Sequence, residues 1–523
     1  MSSKFSFYST LIAIPFAFGA VACTHSTAQN KPQPPEKTIE RQATLPIQAD
    51  DSYYKAAALN LAQKSDGEDY GRAKNIILFI GDGMGISTMT AIRIHAGQSE
   101  GKDGESYQLN MDSLPHTALS KTYSHNAQVS DSAATATAML TGVKSPARTL
   151  GVTQAAVYDD CASIEMAKAR TLFELAETEG LATGLVSTAR LTHATPAAAY
   201  AHAPNRNWED DGELSQAARE GGCTDIASQF LNWPAGDHFE IALAGGRRHF
   251  TPVSTETDTE SRYAGRRQDN RDIAAEWAAK SENHVSVFDK TQLDALDLSA
   301  GTNILGLFQD SHMSYELDRT NTEPSISEMT RIAIERLSQN EKGYLLMVEA
   351  GRIDHGHHGT NAARALGDGI AFDEAIGAAL EMTDREDTLI IVTADHSHTF
   401  VIQGYPGRNN PILGKVIYPN GEMAKAEDGK PYTTLAYTNG SSAEESHQEG
   451  ERQDLSDIDT THEDYKQQAL IPLRSETHAG EDVAVLASGP GAHLVRGVIE
   501  QNEIFHIMGH ASGLIVPYSE GEP

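Results

Sequence analysis

Acidic and imidazole side chains recur in this chain directly after apolar runs, a placement that points to metal chemistry. NIILFI at 75–80 leads into Gly81-Asp82-Gly83-Met84-Gly85. YLLMV at 344–348 leads into Glu349 and then Asp354, His355, His357 and His358. TLIIVT at 388–393 leads into Ala394-Asp395-His396-Ser397-His398. So many acids gathered at one place are too costly to bury without cations, which predicts a cluster of divalent metal ions. Mixed Asp and His donors suit zinc, whereas a donor set made mostly of oxygen suits magnesium. Each motif also has a plainer reading. Gly-Asp-Gly after a strand is commonly only a tight turn. Asp354 and His358, four apart on one helical face, are also compatible with ordinary surface histidines. Three such motifs in one chain favour a site. The nucleophile candidate is Ser132, in VSDSAATATA, at the start of a small-residue helix closed by Gly142. A serine there can be a cap and nothing more. The same geometry aims backbone N–H groups at an anion such as phosphate.

The elements that carry these residues are legible from hydrophobic patterning. Two further apolar runs, TGLVS at 183–187 and DVAVL at 482–486, join the three above. All five are continuously apolar rather than alternating, as in strands covered on both faces, and helical stretches separate them. The predicted fold is therefore α/β: a doubly wound, mainly parallel central sheet with helices on both faces. Ligands bind beyond the carboxyl ends of such strands, where these residues emerge. An amphipathic helix is expected over Ser52–Lys64, with Tyr54, Ala58 and Leu61 on one face. Two polar stretches, 251–271 and 403–464, read as surface insertions, the second a cap near the site.

The chain has 523 residues, with 41 Lys+Arg against 73 Asp+Glu and a net charge of −32. That balance excludes nucleic-acid binding through the general surface. It suits a surface that stays hydrated in strong salt, hence a marine or salt-tolerant source, with the ordinary acidity of exported proteins as the alternative. Lys4 precedes an apolar run at 11–22 that is short for a membrane span and is interrupted by Pro15 and Gly19. It reads as a secretory signal over 1–22, placing the mature protein in the periplasm or otherwise outside the cytoplasm. Cys23 follows AVA, so lipid anchoring at Cys23 and simple cleavage both stay open. A Gln/Pro-rich tract then suits a flexible tether, drawn over 23–50. The catalytic body is expected over 51–402 and 465–523, with 403–464 as a crown-like insertion. Cys161 and Cys223 form an even pair in an exported protein, and one disulfide is expected, worth about 4 kcal/mol in the chain-entropy model. Two unrelated buried thiols are the alternative.

The segments GDGMG, DSAATATAMLTGVK, THATPAAAYAH, GRIDHGHH, TADHSH and SETHAGEDVAV resemble those of alkaline phosphatases, in order from about residue 51 to 508. The animal type and some marine bacterial enzymes are the nearer pattern. The resemblance implies hydrolysis of small phosphate monoesters through a phosphoserine at Ser132. It implies two zinc ions, one held by Asp354, His358 and His478 and the other by Asp82, Asp395 and His396. It implies one magnesium ion held by Asp82, Thr195 and Glu349. Arg206 would grip the phosphate, and His193 and His398 would stand close by. The family is usually dimeric, so a homodimer is expected. Cys161 and Cys223 fall where the animal type has a disulfide. Gln309 stands where that type has an acidic calcium ligand, so no calcium is assigned. Two rival hydrolases share the metal scaffold. A sulfatase needs Pro and Arg after its nucleophile, which Ser132-Ala133-Ala134-Thr135 lacks, and a phosphodiesterase would usually lack Arg206. A silent metal-binding lipoprotein would have no use for Ser132.

Overall fold

The structure, a computed structural model, describes residues 41–64, 71–253, 264–448 and 450–515. The expected signal, Cys23 and the tether as far as residue 40 lie outside the described residues, as does 254–263 of the first polar stretch. Of two compact units, Met1–Thr38 and Ile39–Pro523, the second holds every described residue.

Its centre is a ten-stranded sheet. In chain order the strands are β1 (Asn75–Gly81), β2 (His116–Lys121), β3 (Ala182–Arg190), β4 (Ile241–Gly245), β5 (His284–Val287), β6 (Asn303–Leu307), β7 (Tyr344–Ala350), β8 (Thr388–Ala394), β9 (Val483–Ser488) and β10 (Gly497–Glu500). Their spatial order is β10-β2-β9-β8-β1-β7-β3-β4-β6-β5. Continuous apolarity has the expected cause. Ile76, Leu78 and Ile80 of β1 enter one core, with the helices Ser52–Lys64, Ser132–Thr141, Leu172–Glu179 and Glu503–Ser512. Ile77 and Phe79 enter the other, with Ile86–Ser99, Ile326–Leu337 and Ala362–Met382. Each such side chain, fully withdrawn from water, contributes roughly 1.5–3 kcal/mol.

Register brings the chemistry level. Gly81 pairs with Ala350 on one side and Ala394 on the other, so the residues after β1, β7 and β8 leave the sheet at one edge. The DVAVL run departs from the parallel expectation: β9 is antiparallel to both β8 and β2. Apolar content carries no direction, and the reversal has a consequence. His478 precedes β9, yet reaches the edge that the other site residues reach by following their strands, pairing with His398.

Three other expectations change. Residues 41–50 are docked rather than loose: Arg41 donates to the carbonyls of Ala73 (2.9 Å), Lys74 (2.8 Å) and Lys342 (2.8 Å). Gln48 is buried and donates to Thr141 O and Arg170 O. The described end of the 251–271 stretch is not all surface, since Arg267 is fully buried against Asp225 and Asp269. Finally, Leu435–Gly440, inside 403–464, pairs with Phe400–Ile402 and Ala469–Pro472 on either side of that segment. No helix among the described residues is long and apolar enough to cross a membrane.

Candidate active site

Ser132 opens a helix, Ser132–Thr141, that is buried along its whole length and stopped by Gly142 in the left-handed region (φ 77°). Asp131 caps it, its Oδ2 accepting from Ala133 N at 3.3 Å. The cap is therefore Asp131 and not Ser132, and an Asp one residue before a helix is a signal the sequence itself carries. Ser132 Oγ lies 3.3 Å from His396 Nε2. Arg206 Nη1 donates to Asp131 Oδ2 at 2.8 Å and Nη2 donates to His193 Nε2 at 3.0 Å.

On one side of Ser132, Asp354 Oδ1, His358 Nε2 and His478 Nε2 form a triangle with edges of 3.3, 3.2 and 3.4 Å. Both imidazoles donate through Nδ1 to main-chain carbonyls, His358 to Glu476 O (2.6 Å) and His478 to Ser130 O (2.8 Å). Their Nε2 lone pairs therefore face one another and a carboxylate oxygen, which is repulsive unless a cation sits among them. The edges agree with those of a tetrahedron around zinc, about 3.3 Å for bonds of about 2.0 Å. His398 braces this group, with Nε2 at 2.8 Å from Asp354 Oδ1 and Nδ1 at 2.5 Å from Glu476 Oε2. Glu476 is buried and also accepts from Thr399 N and Oγ1. It lies two residues before His478, but its partners are distant in the chain and no spacing announces it.

Next to the triangle, His396 Nε2 lies 3.5 Å from Asp82 Oδ1 and 3.2 Å from Asp395 Oδ2. Asp395 Oδ1 accepts from Gly83 N and His396 N, each at 2.9 Å. Gly83 has φ +70°, and a Cβ there would run into the His398 ring, so both conformation and space require glycine. Asp82 also faces Glu349, which Ser187 Oγ holds through Oε2. Both carboxylate oxygens of Asp82, Glu349 Oε1 and Thr195 Oγ1 are buried without hydrogen-bond partners among the described residues. Burial, and then the charges of Asp395, Asp354 and Glu349, push the Asp82 carboxyl well above the usual carboxylate range. Burial likewise pushes Glu349 up to about 7. Orphaned buried acids of this kind fit divalent cations. The structure thus brings Asp82, Thr195, Glu349, Asp354, His358, Asp395, His396 and His478 together beside Ser132.

Two further imidazoles, His312 and His355, join His193 near Glu349. Arg190 donates to His312 Nε2 and Arg206 to His193 Nε2, so those lone pairs are taken and two guanidinium charges repel a further cation there. Gln309 donates to Glu323 Oε1 at 2.5 Å. Cys161 and Cys223 are disulfide-bonded, their Cα atoms 5.8 Å apart, beside buried Trp208.

A doubly wound sheet that delivers carboxylates and imidazoles to one edge, beside a serine at a helix N-terminus, defines a metal-dependent hydrolase. The family model for alkaline phosphatase matches residues 73–514. The tissue-nonspecific alkaline phosphatase of Gallus gallus is 47% identical over 448 residues, 84% of each chain. The Thermus thermophilus alkaline phosphatase structure superposes with a TM-score of 0.62 at 26% identity, covering 91% of this chain and 96% of that one. A mutant of the TAB5 alkaline phosphatase with magnesium bound in its M3 site superposes with a TM-score of 0.56 at 25% identity, covering 85% of this chain and 99% of that one. The chain belongs to the alkaline phosphatase family, and its activity is the hydrolysis of phosphate monoesters.

Proposed function

We propose that the protein hydrolyses a broad range of small phosphate monoesters by way of a phosphoserine at Ser132, with two zinc ions and one magnesium ion as cofactors. The observation that carries this reading is the triangle of Asp354, His358 and His478, whose lone pairs converge at tetrahedral spacing. Those three would hold one zinc, and Asp82, Asp395 and His396 the other. The oxygen donors of Asp82, Thr195 and Glu349 suit magnesium, a reading supported by the magnesium bound in the M3 site of the TAB5 mutant. When bound, such ions supply the positive charge that lets a serine hydroxyl ionise and that neutralises a departing alcohol oxygen.

The chain's own groups do the rest. Ser132 Oγ attacks phosphorus, the bond to the alcohol oxygen breaks, and water then releases inorganic phosphate from the serine. The free N–H groups at the start of the Ser132 helix face the incoming anion. Arg206 has five N–H donors, of which Asp131 and His193 engage two, leaving a planar fork for phosphate oxygens. His398 and Glu476 fix the orientation of Asp354. Recognition rests on the phosphoryl group alone, which supports breadth of substrate. We further infer export to the periplasm through the signal at 1–22, a homodimer, and Cys23 as the position for any lipid anchor.

The test compares p-nitrophenyl phosphate with bis-p-nitrophenyl phosphate, before and after chelation and with metal analysis. The expected result is monoester turnover that chelation removes and zinc with magnesium restores, with about two zinc per chain. Preferential diester turnover, or monoester turnover that survives complete metal removal, would contradict it.

A further inference from the structure

We propose that Arg148 forms a second anion-binding subsite, which takes the distal phosphate of substrates bearing two linked phosphate groups, such as pyrophosphate and nucleoside diphosphates. This rests on the phosphomonoesterase reading above and assigns a specificity-determining residue within it.

Against Asp131, the residue that caps the Ser132 helix, opens a cavity of about 300 Å³, lined also by Arg148, Arg190, His193, Arg206 and Glu209. That volume is at the lower end for ligand cavities and suits a compact anion rather than a bulky leaving group. Two of the three arginines are committed. Arg190 forks onto Glu209 at 2.7 and 2.6 Å, and Arg206 is held by Asp131. The side chain of Arg148 is exposed, and among the described residues it forms no ion pair. Its guanidinium lies over the Tyr158 ring, 4.9 Å from the centroid. The lining therefore has a local excess of positive charge in a chain whose net charge is −32, and it can draw in a polyanion that the rest of the surface repels.

The backbone of Arg148 is fixed by Arg206 and by the acid that holds it, Asp131. Its N–H donates to Asp131 Oδ1 at 2.8 Å, and its carbonyl accepts from Arg206 N at 2.9 Å. It holds φ at +68°, a conformation that costs an arginine more than asparagine or glycine. A long cation kept in a strained position, registered against Asp131 and Arg206 and left without a carboxylate, is matched to a ligand phosphate. In the reaction with a diphosphate, Ser132 Oγ bonds to the terminal phosphorus and the bridging P–O bond breaks. The bridging oxygen leaves with the bonding electrons on the second phosphate, which Arg148 holds, and the serine proton passes to solvent.

The test measures kcat/KM for pyrophosphate and for phenyl phosphate on the metal-loaded protein, at fixed ionic strength and free metal. Arg148→Asn removes the charge while tolerating the left-handed backbone, and Arg148→Lys keeps the charge but not the fork. The ratio of pyrophosphate to phenyl phosphate kcat/KM is expected to fall about tenfold in Arg148→Asn, chiefly through KM, with Arg148→Lys intermediate. The salt dependence of pyrophosphate turnover should flatten along with it. A ratio that stays within twofold of wild type, or an equal loss for both substrates, would overturn the subsite. Wild-type protein that turns over neither substrate would instead overturn the phosphomonoesterase reading.

Discussion

Asp131 and Arg206 are locked together at 2.8 Å, and the same carboxylate oxygen caps the helix that Ser132 begins. One acid thus sets both the position of the proposed nucleophile and the aim of the fork proposed to grip phosphate. Asp131→Ala is expected to free Arg206 and raise the inhibition constant of inorganic phosphate several-fold. Loss of the cap should cost about 1 kcal/mol of stability. Arg206→Ala should cost more in kcat/KM, about 2–5 kcal/mol, because it removes a buried charge that meets the substrate and strands Asp131. Phosphate inhibition unchanged in Asp131→Ala would show that the pair does not position the fork.

Glu476 supports the candidate metal triangle at one remove, through the His398 side chain and through its own carbonyl to His358. Removing such an outer partner typically weakens metal binding 10–100-fold. Glu476→Ala is expected to lose zinc to a chelator at correspondingly lower chelator concentration, and Glu476→Gln should recover part of the loss. Equal zinc retention in all three proteins would contradict this role.

Glu177, on the helix Leu172–Glu179, is buried near Glu240, and its Oε1 accepts from Thr183 Oγ1 at 2.5 Å. Burial, and then the neighbouring Glu240, push its carboxyl up to about 9, and burial raises Glu240 to about 7. The native state therefore binds the proton more tightly than the unfolded chain. The contribution to stability is complete below the ordinary glutamate value of 4.5 and is lost as pH rises through about 9. Glu177→Gln cannot ionise, so its thermal midpoint relative to wild type is expected to climb steadily between pH 6 and pH 9.5. Each pKa unit corresponds to about 1.4 kcal/mol at most. Parallel midpoint curves for the two proteins would rule the effect out.

The parallel core of the fold and most of the candidate site were legible in the sequence because they are local. Continuous apolarity marked β1, β7 and β8, and the residues immediately after each run supplied Asp82, Glu349, Asp354, His358, Asp395 and His396. The direction of β9 was not legible, since hydrophobicity is the same read either way. Strands β2, β5 and β10 escaped notice because each carries exposed or half-buried residues among its apolar ones, and β4 and β6 because their buried runs are short and diluted by Ala, Gly or Asn. Arg267 looked like surface because its salvation is Asp225, 42 residues away. Glu476, His312 and Arg148 gain their meaning from contacts between distant segments, which no local spacing encodes.

The most direct measurement is acid trapping of the phosphorylated protein during turnover, with the modified residue located by peptide mass and metal content measured in parallel. The account predicts phosphate on the peptide containing Ser132. It also predicts that Ser132→Ala keeps its zinc and magnesium, traps no phosphate and loses most of its turnover. Phosphate on another residue, or undiminished turnover by a metal-loaded Ser132→Ala protein, would contradict it.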